Sequence, residues 1–323
     1  GFHLLIFLFC WFIWDDNHFH VKQSRMQTIL TKPDECILCK GTDLGFFLEL
    51  KDHFLSKQSF SLLQCKSCGL MYTTPQPEIN DIQDYYNSKD YTSHDTRDNS
   101  LKNYLYKIAR KISLASKLKL ISSYKNTGKL LDIGAGTGEF INYFHKHGWE
   151  ISGIEPNEKA REQARNKYKL NVGNIDYLNG IAEGSLDVIT MWHVLEHTFD
   201  PVKQMKLNFK LLKTDGLLVL ALPNYGSWDA HHYKQYWAAY DVPRHLFHFS
   251  ENAVNNIAKL TGFCVHDKKP LKFDAYYISL LSEKYKSGKT NYLKAGINGF
   301  RSNWAAYRRR SGYSGLIYVL RKN

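Results

Sequence analysis

The sequence predicts an α/β protein in which a doubly wound parallel sheet follows a small cysteine-knuckle domain. Three observations carry that prediction. Residues 130–140, LLDIGAGTGEF, join an apolar run to a glycine-rich turn. A second apolar run, EISGIE, closes on Glu155 about 20 residues later. Upstream, Cys36-Ile-Leu-Cys39 and Cys65-Lys-Ser-Cys68 form two CxxC pairs with 25 residues between them. A chain of 323 residues, 14% aromatic and without internal repeats, can build one large or two modest domains.

Residues 1–25 come first. The stretch from Leu4 to Trp14 is almost wholly apolar, but crossing a bilayer takes about 20 such residues. It has neither a basic n-region nor a small-residue cleavage site, so it does not read as a signal peptide. Met26 is the first methionine. Residues 1–25 are therefore expected to be an upstream extension outside the native fold, with a membrane-associated N-terminus as the alternative.

Residues 26–75 form the cysteine domain. Two thiolates at i and i+3 hold one edge of a tetrahedral zinc, and a second pair completes four-coordination. Cys36, Cys39, Cys65 and Cys68 are thus the expected ligands of a structural Zn²⁺ in a zinc ribbon. Such a site has no position open for catalysis. Gly41 and Gly69 follow the pairs and supply backbone freedom. The spacer leaves room for a hairpin such as FFLELKDHF. Two disulfides are the rival reading.

Residues 76–128 are read as a helical linker or lid. Within them LKNYLYKIARKISLASKLKLI has apolar residues at three-to-four spacing, the pattern of a helix packed on a sheet. Tyr85, Tyr86 and Tyr91 precede it as candidates for pocket lining or core.

The main domain is expected over residues 129–323. An apolar run ending in Asp132 reads as a buried parallel strand. Gly134, Gly136 and Gly138 let the backbone turn tightly and approach a ligand. Glu155 stands at the tip of the next strand, where such sheets hold ribose hydroxyls. The spacing is GxGxG, not the GxGxxG that seats a pyrophosphate, and the acid before the turn suits a cationic ligand. Glu155-Pro156-Asn157 then starts a helix, LDVITMWHVLEH is a strand running into a polar segment, and Asp200-Pro201 opens another helix. LLKTDGLLVLALPN reads as helix end, turn and fifth strand. Ser250 caps a helix that ends at Gly262, FCVHDKK is a sixth strand, and SGLIYVLRKN is a seventh after a helical insertion from Asp274 to about Arg310. Strand–helix alternation of this kind makes a doubly wound sheet with its ligand beyond the strands' carboxyl ends.

From Lys129 to about Lys269 these motifs resemble the class I S-adenosylmethionine (SAM) methyltransferases. The resemblance implies a seven-stranded Rossmann-like sheet with SAM held by Asp132, Gly134, Ala135, Gly136, Gly138, Glu155, Pro156 and Trp192. A degenerate Rossmann fold with a different nucleotide is the alternative. A long chain with such a core is expected in the cytoplasm, which favours zinc over disulfides for the four cysteines.

Methyl transfer from a sulfonium disperses charge, so positioning supplies much of the rate. A general base is needed only where the acceptor keeps its proton. His193 is the first candidate; with Glu196 and His197 it falls on one face of a helical turn. His245 is the second, in WAAYDVPRHLFHFS, which resembles a signature found after strand five in methyltransferases of polysaccharide and sugar modification. There Arg244 is expected to steer an anionic acceptor, with Tyr240, Asp241 and Trp192 as further acceptor contacts. For each, a structural histidine or an Arg244–Asp241 pair is the alternative. Ubiquinone-pathway O-methyltransferases are similar here but carry a carboxylate where His193 stands, so no active-site metal is expected. Nucleotide-sugar C-methyltransferases share the ribbon and the SAM core, but carry a further C-terminal domain beyond the point where this sequence stops.

The run Trp192-His193-Val194-Leu195 is not the Asn/Asp-Pro-Pro-aromatic run of amine methylation on bases. Cytosine C5 chemistry needs a thiolate near the end of strand four or five, and neither Cys10 nor Cys264 lies there. The net charge is +12, and residues 271–323 hold 11 Lys and Arg against Asp274 and Glu283. That surface favours an anionic partner, or is simply solvated. The expected activity is SAM-dependent methylation of a small molecule, a sugar, nucleotide sugar or glycolipid precursor. A quinone or lipid-precursor O-methyltransferase is the first alternative. An RNA-contacting ribbon or RNA 2′-O-methyltransferase is the second; a nucleic acid is not the expected partner, and peripheral membrane contact stays open.

Overall fold

The computed structural model describes residues 33–79, 81–86 and 101–323, so the leader and Tyr91 lie outside the described residues. Their strands are β1 (Leu44–Lys51), β2 (Ser59–Cys65), β3 (Met71–Thr74), β4 (Lys129–Ile133), β5 (Glu150–Ile154), β6 (Val172–Gly173), β7 (Leu186–Trp192), β8 (Leu212–Pro223), β9 (Phe247–His248), β10 (Phe263–Pro270) and β11 (Gly315–Lys322). Their helices are α1 (Leu101–Ser122), α2 (Glu139–His145), α3 (Glu158–Tyr168), α4 (Pro201–Leu211), α5 (Trp228–Tyr233), α6 (Glu251–Leu260), α7 (Lys272–Ser287) and α8 (Tyr292–Arg309). The chain divides into two compact units. Of the described residues, one unit takes those up to Tyr106 together with Pro223–Val254 and Pro270–Leu316; the other comprises Lys107–Leu222, Asn255–Lys269 and Ile317–Asn323. Compactness thus groups the helical insertion and the segment after the fifth sheet strand with the cysteine domain.

The second unit carries the seven-stranded sheet, in the order β10-β11-β8-β7-β4-β5-β6. β4 pairs in parallel with β5 and β7, and β5–β6 and β7–β8 are also parallel. Order reverses at β4, and its carboxyl end is where a doubly wound sheet leaves a crevice. The central strands are apolar because both faces are covered: Leu130, Leu131, Val188 and Ile189 are fully buried. Two of the connecting helices are capped as their sequence suggests: Asn157 Oδ1 accepts the Ala160 amide at 3.1 Å, and Asp200 Oδ1 accepts the Lys203 amide at 2.8 Å. The turn expected between α4 and the fifth sheet strand is absorbed into β8. Leu212 pairs with Leu186 but Leu217 pairs with Val188, so Lys213–Gly216 form a bulge within one strand.

The first unit carries a four-stranded sheet, β1-β2-β3-β9, whose pairs are antiparallel. β1 and β2 are the hairpin expected between the CxxC pairs. Its turn is organised by buried Asp52, which accepts the amides of Phe54, Leu55 and Ser56 at 3.0, 3.1 and 2.7 Å. β9 lies inside the WAAYDVPRHLFHFS segment, with Tyr72 opposite Phe247 and Met71 opposite His248. The core here gathers Leu50, Phe60, Leu62, Met71, Tyr85, Trp237 and Tyr240. Tyr85 is therefore a core residue, its hydroxyl donating to Gln58 at 2.9 Å.

Candidate active site

Asp132 leaves β4 fully inside the sheet and accepts the Thr190 hydroxyl of the neighbouring β7 at 2.5 Å. Burial pushes its carboxyl up to about 7; the Glu155 charge acts the same way, while the Thr190 hydrogen bond and the Lys117 charge oppose them. The turn that follows has positive φ at all three glycines, +82° at Gly134, +53° at Gly136 and +82° at Gly138. Two of them are also packed. A Cβ on Gly134 would come within 2.4 Å of Val194 Cγ2, and one on Gly138 within 2.9 Å of Ala164 Cβ. At Gly136 a Cβ would meet nothing within 4 Å, so the middle of the turn faces open space.

The turn is stitched to the next strand by backbone and side chain alike. The amides of Gly134 and Ala135 both donate to the Ile154 carbonyl at 2.8 Å. Glu155 Oε2 accepts the Gly136 amide at 2.8 Å and Oε1 accepts the Asn157 amide at 2.9 Å. Pro156 lies between Glu155 and the α3 cap. Each Glu155 oxygen takes one amide and keeps a lone pair for a further donor.

Trp192 ends β7 with its ring edge-on to Phe140, centroids 5.6 Å apart. The Lys117 ammonium of α1 sits 3.9 Å from the Trp192 ring centroid. The indole Nε1 is buried without a hydrogen-bond partner among the protein groups. These groups fit SAM: two carboxylates for its amine and hydroxyls, open space over bare backbone, and an indole wall. Lys117 and Thr190 were not legible as site residues. Thr190 sits in register with Asp132 on an adjacent strand, and Lys117 comes from α1, the helix that precedes β4.

His193 continues the β7–β8 ladder, its amide donating to Ala221 at 3.0 Å. It does so at φ +56°, a left-handed conformation that costs a non-glycine residue roughly 1–2 kcal/mol and marks many functional turns. Its Nδ1 lies 3.6 Å from Glu196 Oε1. Glu196 is 1% exposed, and neither carboxylate oxygen has a hydrogen-bond partner. His197 follows in the same short 3₁₀ turn.

In the first unit, Tyr240, Asp241, Arg244 and His245 come together ahead of β9. The Arg244 guanidinium is 2% exposed and bonds Asp241 at 2.6 Å and Asp52 at 3.0 Å. The expected steering of an anionic acceptor therefore meets a charge already engaged by two carboxylates. Asp52 was missed because its partner lies 192 residues away. Tyr240 is buried, edge-on to Trp237 and His248 with centroids 4.9 and 5.5 Å away. His245 Nδ1 lies 2.9 Å from the Ala239 carbonyl. A carbonyl only accepts, so a neutral His245 carries its proton on Nδ1 and its basic lone pair on Nε2.

The four cysteine sulfurs lie within 4.8 Å of one another, with Cys36–Cys68 and Cys39–Cys65 each at 3.5 Å. Zinc–sulfur bonds of about 2.3 Å put the sulfurs of a tetrahedral site about 3.8 Å apart, so the donor set fits zinc. The Cys36 thiol is drawn down to about 4 by its contact with Cys68 and, against burial, by the Tyr72 hydroxyl at 2.9 Å. The left-handed residue of the first knuckle is Lys40 at φ +59°, not Gly41; Gly69 at +77° serves the second as expected.

A profile of the methyltransferase domain family matches residues 101–268, more than half of the 323 residues. The ubiquinone biosynthesis O-methyltransferase of Actinobacillus pleuropneumoniae is 31% identical over 107 residues, covering 30% of this chain and 46% of that protein. Its mitochondrial counterpart from Schizosaccharomyces pombe is 31% identical over 101 residues, covering 29% and 37%. A 23S rRNA (uracil(747)-C(5))-methyltransferase of Pyrococcus abyssi is 33% identical over 66 residues, covering 20% and 16%. The chain thus spans less than half the length of each of these relatives. Among solved structures, a SAM-dependent methyltransferase from Archaeoglobus fulgidus aligns at TM-score 0.46 and 19% identity, over 68% of this chain and 99% of that one. The cyclopropane synthase MmaA2 from Mycobacterium tuberculosis aligns at 0.44 and 15%, over 64% and 84%. The family profile spans β4 to β8 and the glycine turn after β4, and the chain belongs to the class I SAM-dependent methyltransferases.

Proposed function

We propose that this methyltransferase acts on a hydroxyl of a small molecule of the sugar, nucleotide-sugar or glycolipid-precursor class. The observation that carries the proposal is His193, turned out of β7 at positive φ with its Nδ1 3.6 Å from the buried Glu196 carboxylate. A hydroxyl keeps its proton at neutral pH, so its methylation calls for a base at this position. SAM, when bound, supplies the methyl group as an electrophile on a positively charged sulfur. Glu155 and the glycine turn would hold the donor's ribose and methionine ends, with Asp132, Ala135, Pro156 and Trp192 around them. His193 would take the acceptor proton at Nε2. The resulting imidazolium then directs Nδ1–H at Glu196, which favours the charged ring.

His245 is the second candidate base, since the Ala239 carbonyl leaves its lone pair on Nε2. Arg244 serves as a positioning residue: its bonds to Asp52 and Asp241 fix the segment that carries Tyr240 and His245. Zn²⁺ in the four-cysteine knuckles would hold β2 and the chain on either side of it, with no part in the chemistry.

A second reading, methylation of a quinone or lipid precursor, is favoured by the two ubiquinone O-methyltransferase relatives. C5 methylation of uracil, as named for the rRNA relative, lacks support, because the described cysteine outside the knuckles is Cys264 on β10. Incubation with tritiated SAM and, separately, nucleotide sugars, quinone precursors and bulk RNA tests the assignment. Label in the sugar class, lost in His193→Ala, is expected. Label confined to quinone precursors or RNA would contradict it.

A further inference from the structure

Helix α8 is built inside out. Its packed face is Ala295, Asn298, Gly299, Ser302 and Ala306, all buried. That face is held by polar bonds: Asn298 to Tyr233 and Glu283 at 2.9 and 3.1 Å, and Ser302 to Asp229 at 2.7 Å. The large apolar side chains point the other way. Leu293, Ile297, Phe300, Trp304 and Tyr307 are 64%, 42%, 51%, 53% and 66% exposed. At 3.6 residues per turn they form one stripe along the whole helix, with Phe300, Trp304 and Tyr307 stacked in sequence at 6.2 and 6.0 Å. A surface helix normally turns such a stripe to the core. Large contiguous apolar patches on a folded surface mark interaction sites.

Charge says what covers this one. From Tyr292 to Arg310 the chain has five Lys and Arg and no acid. The exposed Arg301 and Arg308 lie on one flank of the stripe, and Arg309 and Arg310 close its end. Aromatic rings beside an aliphatic strip, edged by arginine, match the interface of an anionic bilayer, where tryptophan and tyrosine sit at headgroup depth. Phosphates of a nucleic acid have no use for Leu293 and Ile297. A second copy packed parallel on this face about a two-fold axis would bring the same arginines face to face.

We propose that the outward face of α8 docks this enzyme on anionic membrane surfaces. The stripe enters the headgroup–acyl boundary while Arg301, Arg308, Arg309 and Arg310 hold lipid phosphates. The proposed contact is attachment to one leaflet through the face of a single amphipathic helix; no helix among the described residues is long and apolar enough to cross a membrane. The inference holds whichever acceptor the enzyme methylates.

Flotation of the full chain with vesicles of phosphatidylcholine, alone or with phosphatidylglycerol, tests it. Binding is expected only with phosphatidylglycerol. Phe300→Ser/Trp304→Ser should lower partitioning about tenfold or more, and Arg301→Gln or Arg308→Gln about fivefold each. Both residues of the double variant are exposed, so its melting temperature and SAM binding should not move; Trp304→Gln alone serves if it fails to fold. Undiminished binding in these variants would overturn the proposal. So would absence of vesicle binding, whether or not the stripe instead supports a dimer or RNA retention.

Discussion

Glu155 and the amide of Gly136 are joined across 2.8 Å, tying the tip of β5 to the middle of the turn that follows β4. The bond fixes the carboxylate's direction before any ligand arrives. With Asn157 on its other oxygen, the side chain cannot swing away, and the entropy of ordering it is already spent.

The glycines of the turn should separate fold from function. Gly134→Ala drives a methyl group to 2.4 Å from Val194 in a left-handed backbone, and should cost about 2 kcal/mol or more in urea unfolding. Gly136→Asn meets no neighbour within 4 Å, and asparagine tolerates this conformation, so stability should fall by about 1 kcal/mol or less. Its side chain occupies the space over the turn, so calorimetry should find donor affinity reduced while the fold is kept.

Donor binding should depend on pH through Asp132. Its folded carboxyl is raised to about 7, so the unligated fold loses stability as pH rises from the ordinary carboxylate value of about 4 to about 7. A cationic donor favours the ionised form. Binding below pH 7 should therefore release a proton, seen as a heat that depends on the buffer's ionisation enthalpy, and affinity should rise with pH up to about 7. Asp132→Asn should abolish the release.

The Arg244–Asp52 pair should dominate acid sensitivity in its unit. Burial pushes the Asp52 carboxyl up, but the Arg244 guanidinium and the Ser56 donors outweigh it and hold the carboxyl below its usual value. A depressed acid stabilises the fold above the unfolded value of about 4, and that contribution is lost as pH falls through the folded value. Arg244→Met leaves two carboxylates without their cation and should cost about 3–5 kcal/mol at neutral pH. Thermal melts across acid pH should show a shallower decline for Asp52→Asn than for the parent.

Cys65→Ser should release zinc and lower the melting temperature of the cysteine unit. Metal analysis of the purified variant decides this. Stoichiometric zinc retained after the substitution would contradict a four-thiolate site.

Much of this was legible in the sequence because it is local. Alternating apolar runs and glycine spacing place β4, β5, β7 and the glycine turn, and two CxxC pairs place the cysteine cluster. What the sequence could not show is non-local. Asp52 meets Arg244 only after a hairpin and a later segment fold together, and Thr190 reaches Asp132 only through sheet register. The segment Lys213–Gly216 reads as a turn in the sequence, while the pairing of Leu212 and Leu217 with β7 on either side of it holds it within β8. The outward stripe of α8 has the same periodicity as an inward one, so only the packed structure tells which face is covered.

Isothermal calorimetry with SAM and its demethylated product, on the parent chain and Glu155→Ala, tests the donor site most directly. The parent should bind both ligands, and the substitution should remove about 1.5–3 kcal/mol of affinity through the lost charged hydrogen bonds, with the fold intact by circular dichroism. Equal affinity in parent and variant, or no heat from folded parent protein with either ligand, would contradict the site built on Glu155 and the glycine turn.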